Sequence, residues 1–152
     1  MRKCCLPALA LAAGFASPAS AEHWSRFGLT GSGRLTEVDF VDLESLSQLG
    51  NTFSVDTFRG SHNGLGDRPG VIYDEGKLEI SCTQRKFRIM AEIDYAADRS
   101  IVLTSGPEAG WHAVGQGTLA GAIWQFACEG RYTDRLIADP FKETDDYFGG
   151  SA

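Results

Sequence analysis

The stretch LEISCTQRKFRIMAEIDY, residues 78–95, alternates apolar and polar side chains on both sides of a short polar break. Before the break, the apolar phase holds Leu78, Ile80 and Cys82. After the break, it holds Phe87, Ile89, Ala91, Ile93 and Tyr95. A period of two over both halves is typical of antiparallel strands with one buried face. The stretch therefore predicts two paired strands, and it places a cysteine on their apolar phase.

Further extended segments are predicted on both sides of this pair, at residues 24–29, 35–43, 53–57, 71–73 and 100–104. Gly31-Ser32-Gly33 separates the first two as a hairpin turn, and Asp74-Glu75-Gly76 is a turn signal after the fourth. The glycine-rich segment 59–70 has no apolar rhythm and predicts a long exposed loop. Functional residues often lie on such loops, although most long loops are only connections.

The period changes after Thr118, and this change predicts a helix over residues 119–129. Leu119, Ile123 and Phe126 fall at positions i, i+4 and i+7, which is the spacing of an amphipathic helix. Thr118 can cap the N-terminus, and Gly130 can end the helix. Cys128 lies on the last turn, so a disulfide to Cys82 would hold the helix on the sheet.

The N-terminus predicts export from the cytoplasm. Arg2 and Lys3 precede an apolar run, and Ala19-Ser20-Ala21 is typical of a signal-peptidase site. We therefore interpret residues 1–21 as a signal peptide, cleaved after Ala21, because its apolar run is too short to span a bilayer. No Leu-x-x-Cys pattern stands at that site, so no lipid anchor is expected. The sequence predicts a periplasmic or secreted protein without stable membrane insertion.

Export also bears on the cysteines, because only Cys82 and Cys128 remain after cleavage. An even pair in an oxidising compartment is expected to form a structural disulfide. Neither a Cys-x-x-Cys motif nor a nearby histidine supports redox or nucleophilic chemistry at these thiols.

Size and charge limit the possible functions. The chain has 152 residues and a formal net charge of -6 at pH 7. We predict one domain over residues 22–131, followed by an acidic, mobile tail over residues 132–152. Nucleic acids and anionic membranes require clustered positive charge, so neither is a predicted partner.

Motifs for catalysis, cofactors or metals are not found. His23, His62 and His112 are isolated in sequence, and no Gly-x-Ser-x-Gly turn marks a nucleophile. Metal-binding spacings of His, Cys or acidic residues are also lacking. We therefore predict no catalytic, cofactor-binding or metal-binding residue. Three tryptophans could form a ligand patch, but packing in a core or interface is favoured for Trp24, Trp111 and Trp124.

Several segments together resemble the bacterial surface-adhesin protein E family: Trp24, FVDLESL at 40–46, LEISCTQRKFRI at 78–89, Tyr95, WHAV at 111–114 and AIWQFAC at 122–128. The resemblance implies a six-stranded, mostly antiparallel sheet with a C-terminal helix tethered to one face by a disulfide. It also implies a non-enzymatic surface protein that binds host proteins and can dimerise. This chain lacks the lipoprotein cysteine of the family.

We predict an α+β domain, stapled by Cys82 and Cys128, that acts as a non-enzymatic extracytoplasmic binding or structural module. It would recognise a protein partner through a sheet face, an edge strand or the glycine-rich loop at 59–70, and a homodimer is a further expectation. The alternative is a small-ligand carrier or hydrolytic enzyme with a site near His62 and His112. A third possibility is an envelope protein that stabilises an assembly by dimerising.

Overall fold

The computed structural model describes residues 23–30, 37–66, 68–131 and 136–149, which form an α+β fold around one antiparallel sheet. The strands are β1 (Trp24–Thr30), β2 (Glu37–Asp42), β3 (Ser47–Leu49), β4 (Thr52–Ser61), β5 (Tyr73–Ser81), β6 (Lys86–Tyr95), β7 (Ile101–Ser105), β8 (His112–Ala113) and β9 (Leu136–Ile137). The helices are α1 (Leu119–Glu129) and α2 (Pro140–Gly149). The predicted signal peptide and the turn at 31–33 lie outside the described residues.

The strand order is β7-β6-β5-β4-β2-β1-β9, with β3 beside β4 and β8 beside β6. The described part of the chain thus has nine strands, where the family resemblance implied six. The additional elements include short strands: β3 has three residues, and β8 and β9 have two each. Neither described helix is long and apolar enough to cross a membrane.

The opening stretch forms β5 and β6, as predicted, but it does not keep one apolar face. Leu78 pairs with Ile89, whereas Lys77 pairs with Ala91, so Met90 is an extra residue in β6. Such a bulge reverses the face to which the following side chains point. Ile89 therefore packs against the core beneath α1, whereas Tyr95 packs in the cluster on the other side of the sheet.

The turn predicted at Asp74-Glu75-Gly76 is wrong, because these residues lie inside β5. Asp74 pairs with Arg59 of β4 in the strand register, and their side chains form an ion pair. The Thr57 hydroxyl also donates a hydrogen bond of 3.2 Å to the Gly76 carbonyl. Cross-strand contacts outweigh the local turn preference of these three residues.

Helix α1 has the predicted bounds and the predicted caps. The Thr118 hydroxyl accepts a hydrogen bond of 3.1 Å from the Gly121 amide, and Gly130 adopts a left-handed conformation with φ of 66°. Ile123 and Phe126 pack on the sheet face formed by Val41, Val55, Leu78 and Ile80, here called the α1 face. The Cys82–Cys128 disulfide joins this helix to the end of β5.

Helix α2 is where the structure departs from the mobile tail predicted over 132–152. It covers the opposite face of the sheet, here called the α2 face, formed by Trp24, Phe40, Phe58 and Tyr73. The Phe141 ring meets the Phe58 ring edge-on at 4.6 Å between centroids. Aromatic packing of this kind orders a segment whose acidic composition alone suggested a solvated tail.

Candidate functional site

A network of charged side chains occupies the part of the α1 face that α1 leaves uncovered. Arg59 donates to Asp74 from Nε at 3.2 Å and from Nη2 at 2.5 Å. Arg68 reaches the same carboxylate from Nη2 at 2.7 Å. Its Nη1 donates to Glu92 at 2.8 Å and to Asp94 at 2.6 Å. One guanidinium therefore joins carboxylates of β5 and β6.

Arg68 comes from segment 59–70, so the prediction of a long exposed loop is wrong for much of that segment. Strand β4 continues through Ser61, and Leu65 is fully buried. Backbone hydrogen bonds between Leu65 and both Arg68 and Val71 fold the rest of the segment back on itself. Folding of the segment places Arg68 over the sheet.

The network raises the pKa values of two arginines and one glutamate. Burial acts to lower the pKa of Arg68, but hydrogen bonding and the charges of Asp74, Glu92 and Asp94 outweigh it and raise that pKa. The pKa of Arg59 is raised by Asp74 and Glu37 against the same effect of burial. The pKa of Glu92 is also raised, first by burial and then by the charge of Asp74. The raised pKa means that ionisation of Glu92 is disfavoured relative to a glutamate in water.

A cavity of about 460 Å³ lies between the charged network and the N-terminal end of α1. Its apolar lining comes from β5, β6, β8 and α1: Leu78, Phe87, Ile89, Ala113, Leu119 and Ala120. Its polar lining includes Thr57, Arg59, Asp74, Glu92, His112 and Thr118. Volumes of a few hundred Å³ with mixed walls are typical of small-molecule sites.

The edge strand β7 is a second candidate surface. All five of its residues are exposed, and Ile101, Val102 and Leu103 remain 63%, 52% and 57% accessible. Strand β6 pairs with one side of β7, and among the described residues no strand pairs with the other side. Three consecutive exposed β-branched or leucine side chains on an open edge form a template for strand pairing.

The histidines that the alternative prediction placed in one site lie in different places. His112 contacts Glu108 at 2.7 Å through Nε2 and packs against Phe87 at the rim of the cavity. His62 stacks on Phe148 of α2 instead. His23 pairs with Glu44 at 2.8 Å. The three histidines have separate partners, and His62 and His112 share none of the described cavities.

The tryptophans do not form one ligand patch either. Trp24 is buried on the α2 face. Trp124 packs against the core under α1 and lies beneath the Arg85 guanidinium, 4.3 Å from it. Trp111 lies beneath Arg88 at 4.9 Å. Packing and cation–π contacts therefore explain these three residues.

Sequence reasoning missed the acidic group formed by Asp74, Glu92 and Asp94, whose carboxylate oxygens lie within 4.8 Å of one another. Three acidic side chains so close together can in principle hold a cation. Here the Arg68 guanidinium supplies the positive charge between them. The alternation of Glu92 and Asp94 in the sequence shows that they share one face of β6. The sequence does not reveal the bulge at Met90, which turns both side chains to the α1 face.

Comparison of the chain with protein-family models, with curated proteins and with solved structures found no match. The resemblance to the surface-adhesin protein E family therefore stays a prediction.

Proposed function

We propose that this chain is a non-enzymatic, extracytoplasmic binding module that recognises an extended segment of a partner protein by adding it as a strand along β7. The observation that carries this proposal is the open, uncharged edge at residues 101–105, with exposed apolar side chains at Ile101, Val102 and Leu103. Proteins usually protect such edges with charged residues, proline, bulges or a covering element. Strand β7 has one irregularity, because Val102 is an extra residue between Ile101 and Leu103, which pair with Tyr95 and Asp94. It has no charged residue, no proline and, among the described residues, no strand paired on its outer side, and these features favour a role in pairing.

Strand addition has a physical basis that fits β7. Main-chain hydrogen bonds to a new strand contribute about 1 kcal/mol each after competition with water. A five-residue strand offers only a few of them, so side-chain burial must supply the remainder. Ile101, Val102 and Leu103 provide that apolar area, and the absence of charge in IVLTS avoids a desolvation cost.

The support behind β7 is rigid, which lowers the entropic cost of binding. Strand β6 pairs with β7 on one side and along its length with β5 on the other. Arg68 further joins the carboxylates of β5 and β6, and the disulfide anchors the end of β5 to α1. A partner strand would therefore meet an edge that is already ordered.

An extracytoplasmic location is part of the proposal and rests on two observations. The N-terminal sequence has the pattern of a signal peptide with cleavage after Ala21. The Cys82–Cys128 disulfide is a bond that forms and persists mainly in oxidising compartments. Both favour a periplasmic or secreted protein.

Capture with matched variants tests the proposal. The purified, oxidised chain is immobilised, incubated with envelope and extracellular extracts of its host, and the retained proteins are identified by mass spectrometry. Leu103→Lys places a charge on the β7 edge, and Leu49→Lys places the same charge on an 88% exposed leucine of β3. We expect Leu103→Lys to lose the retained partner and Leu49→Lys to keep it.

Two results would count against strand addition at β7. One is the failure of the unmodified chain to retain any protein, and the other is retention of the same proteins by Leu103→Lys. The added strand could also be β7 of a second copy of this chain instead of a segment of another protein. Sedimentation of the unmodified chain over a range of concentrations distinguishes these two cases. Pairing with a second copy predicts a concentration-dependent dimer that Leu103→Lys abolishes.

A further inference from the structure

We propose that the cavity between α1 and the charged network binds a small organic cation with an apolar body. This site is separate from the β7 edge, and it does not depend on strand addition there. The apolar body would contact Leu78, Phe87, Ile89 and Leu119, and the cationic group would face Glu92.

The shape and chemistry of the walls define the apolar part of the ligand. The cavity measures about 460 Å³, which is room for a small aromatic or alkyl group with a polar head. Strands β5 and β6 form its floor through Leu78, Phe87 and Ile89, and Leu119 and Ala120 of α1 form a wall. Burial of an apolar group against these side chains supplies affinity without requiring a charged partner.

Charge balance defines the polar part of the ligand. The two guanidinium groups of Arg59 and Arg68 contact three carboxylates at the cavity and just behind it, those of Asp74, Glu92 and Asp94. Two positive charges against three negative charges leave an excess of one carboxylate, so this group attracts a further cation. Glu92 can contact a cation in the cavity directly, because it lines the cavity and its side chain is 24% accessible.

The pKa of Glu92 is consistent with this assignment. Burial and the charge of Asp74 raise that pKa, so the carboxylate is under-stabilised when it is ionised. A bound cation would stabilise the ionised form and lower the pKa again.

The N-terminus of α1 disfavours a cation in the cavity, and its positive charge can be compared with the negative charge of the carboxylates. The N-terminus of α1 borders the cavity, and a helix N-terminus carries a partial positive charge of about half an elementary charge. That partial charge is smaller than the full negative charge of the one carboxylate in excess. His112 adds no unbalanced charge when it is protonated, because Glu108 lies 2.7 Å from its Nε2. The balance at the cavity therefore favours a cation over an anion.

Three probes of similar size and different charge test the proposal: phenethylammonium chloride, phenylpropanol and phenylpropionate. Each is titrated into the full oxidised chain, with binding followed by calorimetry and by NMR. We expect saturable binding of the cation, weaker binding of the alcohol, and the weakest binding of the carboxylate. Contacts between the phenyl ring and the side chains of Ile89 and Leu119 should appear as intermolecular NOEs in the unmodified chain.

A pair of variants measures how much the charge of Glu92 contributes to binding of the cation. Glu92→Gln should weaken binding of the cation about tenfold and leave binding of the alcohol unchanged, because it removes one close charge interaction. Glu79→Gln is the matched control. Glu79 also pairs with an arginine, Arg88, and is 23% accessible, but it lies between Leu78 and Ile80 in β5 and so points to the other face. This control should bind all three probes like the unmodified chain.

Several outcomes would overturn the proposal. Equal affinity for the three probes would show that charge plays no part, and preference for phenylpropionate would show that the helix terminus dominates. Absence of binding by any probe, or NOEs to residues outside the cavity, would remove the site itself. Because the NOE measurement uses the unmodified chain, it decides the matter even if Glu92→Gln does not fold.

Discussion

The two edges of the sheet differ in how they are covered. At one edge, β9 pairs with Trp24 and Ser25 of β1, and both of these residues are buried. The adjoining α2 fixes this edge through Glu143, which lies 3.5 Å from Arg26 of β1. At the other edge, β7 is exposed along its whole length, and its sequence IVLTS has three apolar residues and no charge. The C-terminal segment thus covers the start of one edge, at Trp24 and Ser25, and this is here called the closed edge. The described residues provide no equivalent element for the other edge.

Loss of the disulfide should have the largest effect on stability and should leave this difference between the edges intact. The bond closes a separation of 46 residues, which corresponds to roughly 4 kcal/mol in the chain-entropy model. Replacing both cysteines with alanine should therefore lower the denaturant midpoint strongly. Since the bond connects β5 to α1, the variant should still show fast hydrogen exchange in β7 and slow exchange at Trp24. Equal exchange at both edges would contradict the account.

Displacing α2 should expose the closed edge, and a larger side chain at Gly60, beneath α2, should displace it. A Cβ at Gly60 would lie 2.4 Å from Thr144 Cγ2 and 2.7 Å from Thr144 Oγ1. Gly60→Val should therefore displace α2 and cost about 1–3 kcal/mol, as other overpacked sites do. Hydrogen exchange at Trp24 and Ile137 should then rise toward that of β7.

Gly110→Val is the control for this change, because nothing lies within 4 Å of a Cβ added there. It should leave both stability and exchange at the β1 edge unchanged. If Gly60→Val and Gly110→Val behaved alike, α2 would not be the element that closes the edge.

A smaller effect should appear at alkaline pH on the α2 face, where Tyr73 and Tyr95 pack beside α2. Burial, with a hydrogen bond from Tyr73 to Asp145, raises the pKa of Tyr73 to about 12. Burial, with a bond of 2.8 Å to Glu75, does the same for Tyr95. The native state then binds more protons than the unfolded state, whose tyrosines have a pKa of about 10. Stability should therefore be full below pH 10 and fall as the pH rises toward 12.

Tyr73→Phe tests this dependence, because it removes one of the two titrating groups. Tyrosinate absorbance should show one high-pKa group fewer, and the alkaline loss of stability should become smaller. An unchanged alkaline profile in Tyr73→Phe would mean that Tyr73 is not held in its neutral form by α2.

Some parts of the fold were predictable because local signals were sufficient. The period-two pattern identified β5 and β6, and Thr118 and Gly130 bounded α1 as the structure has it. The strand predicted at 100–104 differs from β7 by one residue at each end. These elements have regular side-chain periods and standard caps, so little depends on distant residues.

Other parts depend on contacts that no local pattern reveals. Asp74 is a strand residue because Arg59 and Arg68 neutralise it, and those partners come from another strand and a loop. Helix α2 had a weak signal in the spacing of Phe141, Thr144 and Phe148, but its acidic residues obscured that signal. The cavity beside Glu92 required both the bulge at Met90 and the position of α1. That β7 would be an edge could not be predicted, because strand order is a tertiary property.

The most direct test of the central claim compares two leucines of similar exposure on opposite edges. Leu103 of β7 is 57% accessible and Leu136 of β9 is 52% accessible. A photoreactive amino acid at each position, activated in the native host, reports by mass spectrometry which proteins lie against each edge. Strand addition at β7 predicts a specific protein adduct from position 103 and none from position 136. Adducts of the same proteins from both positions, or from position 136 alone, would contradict it.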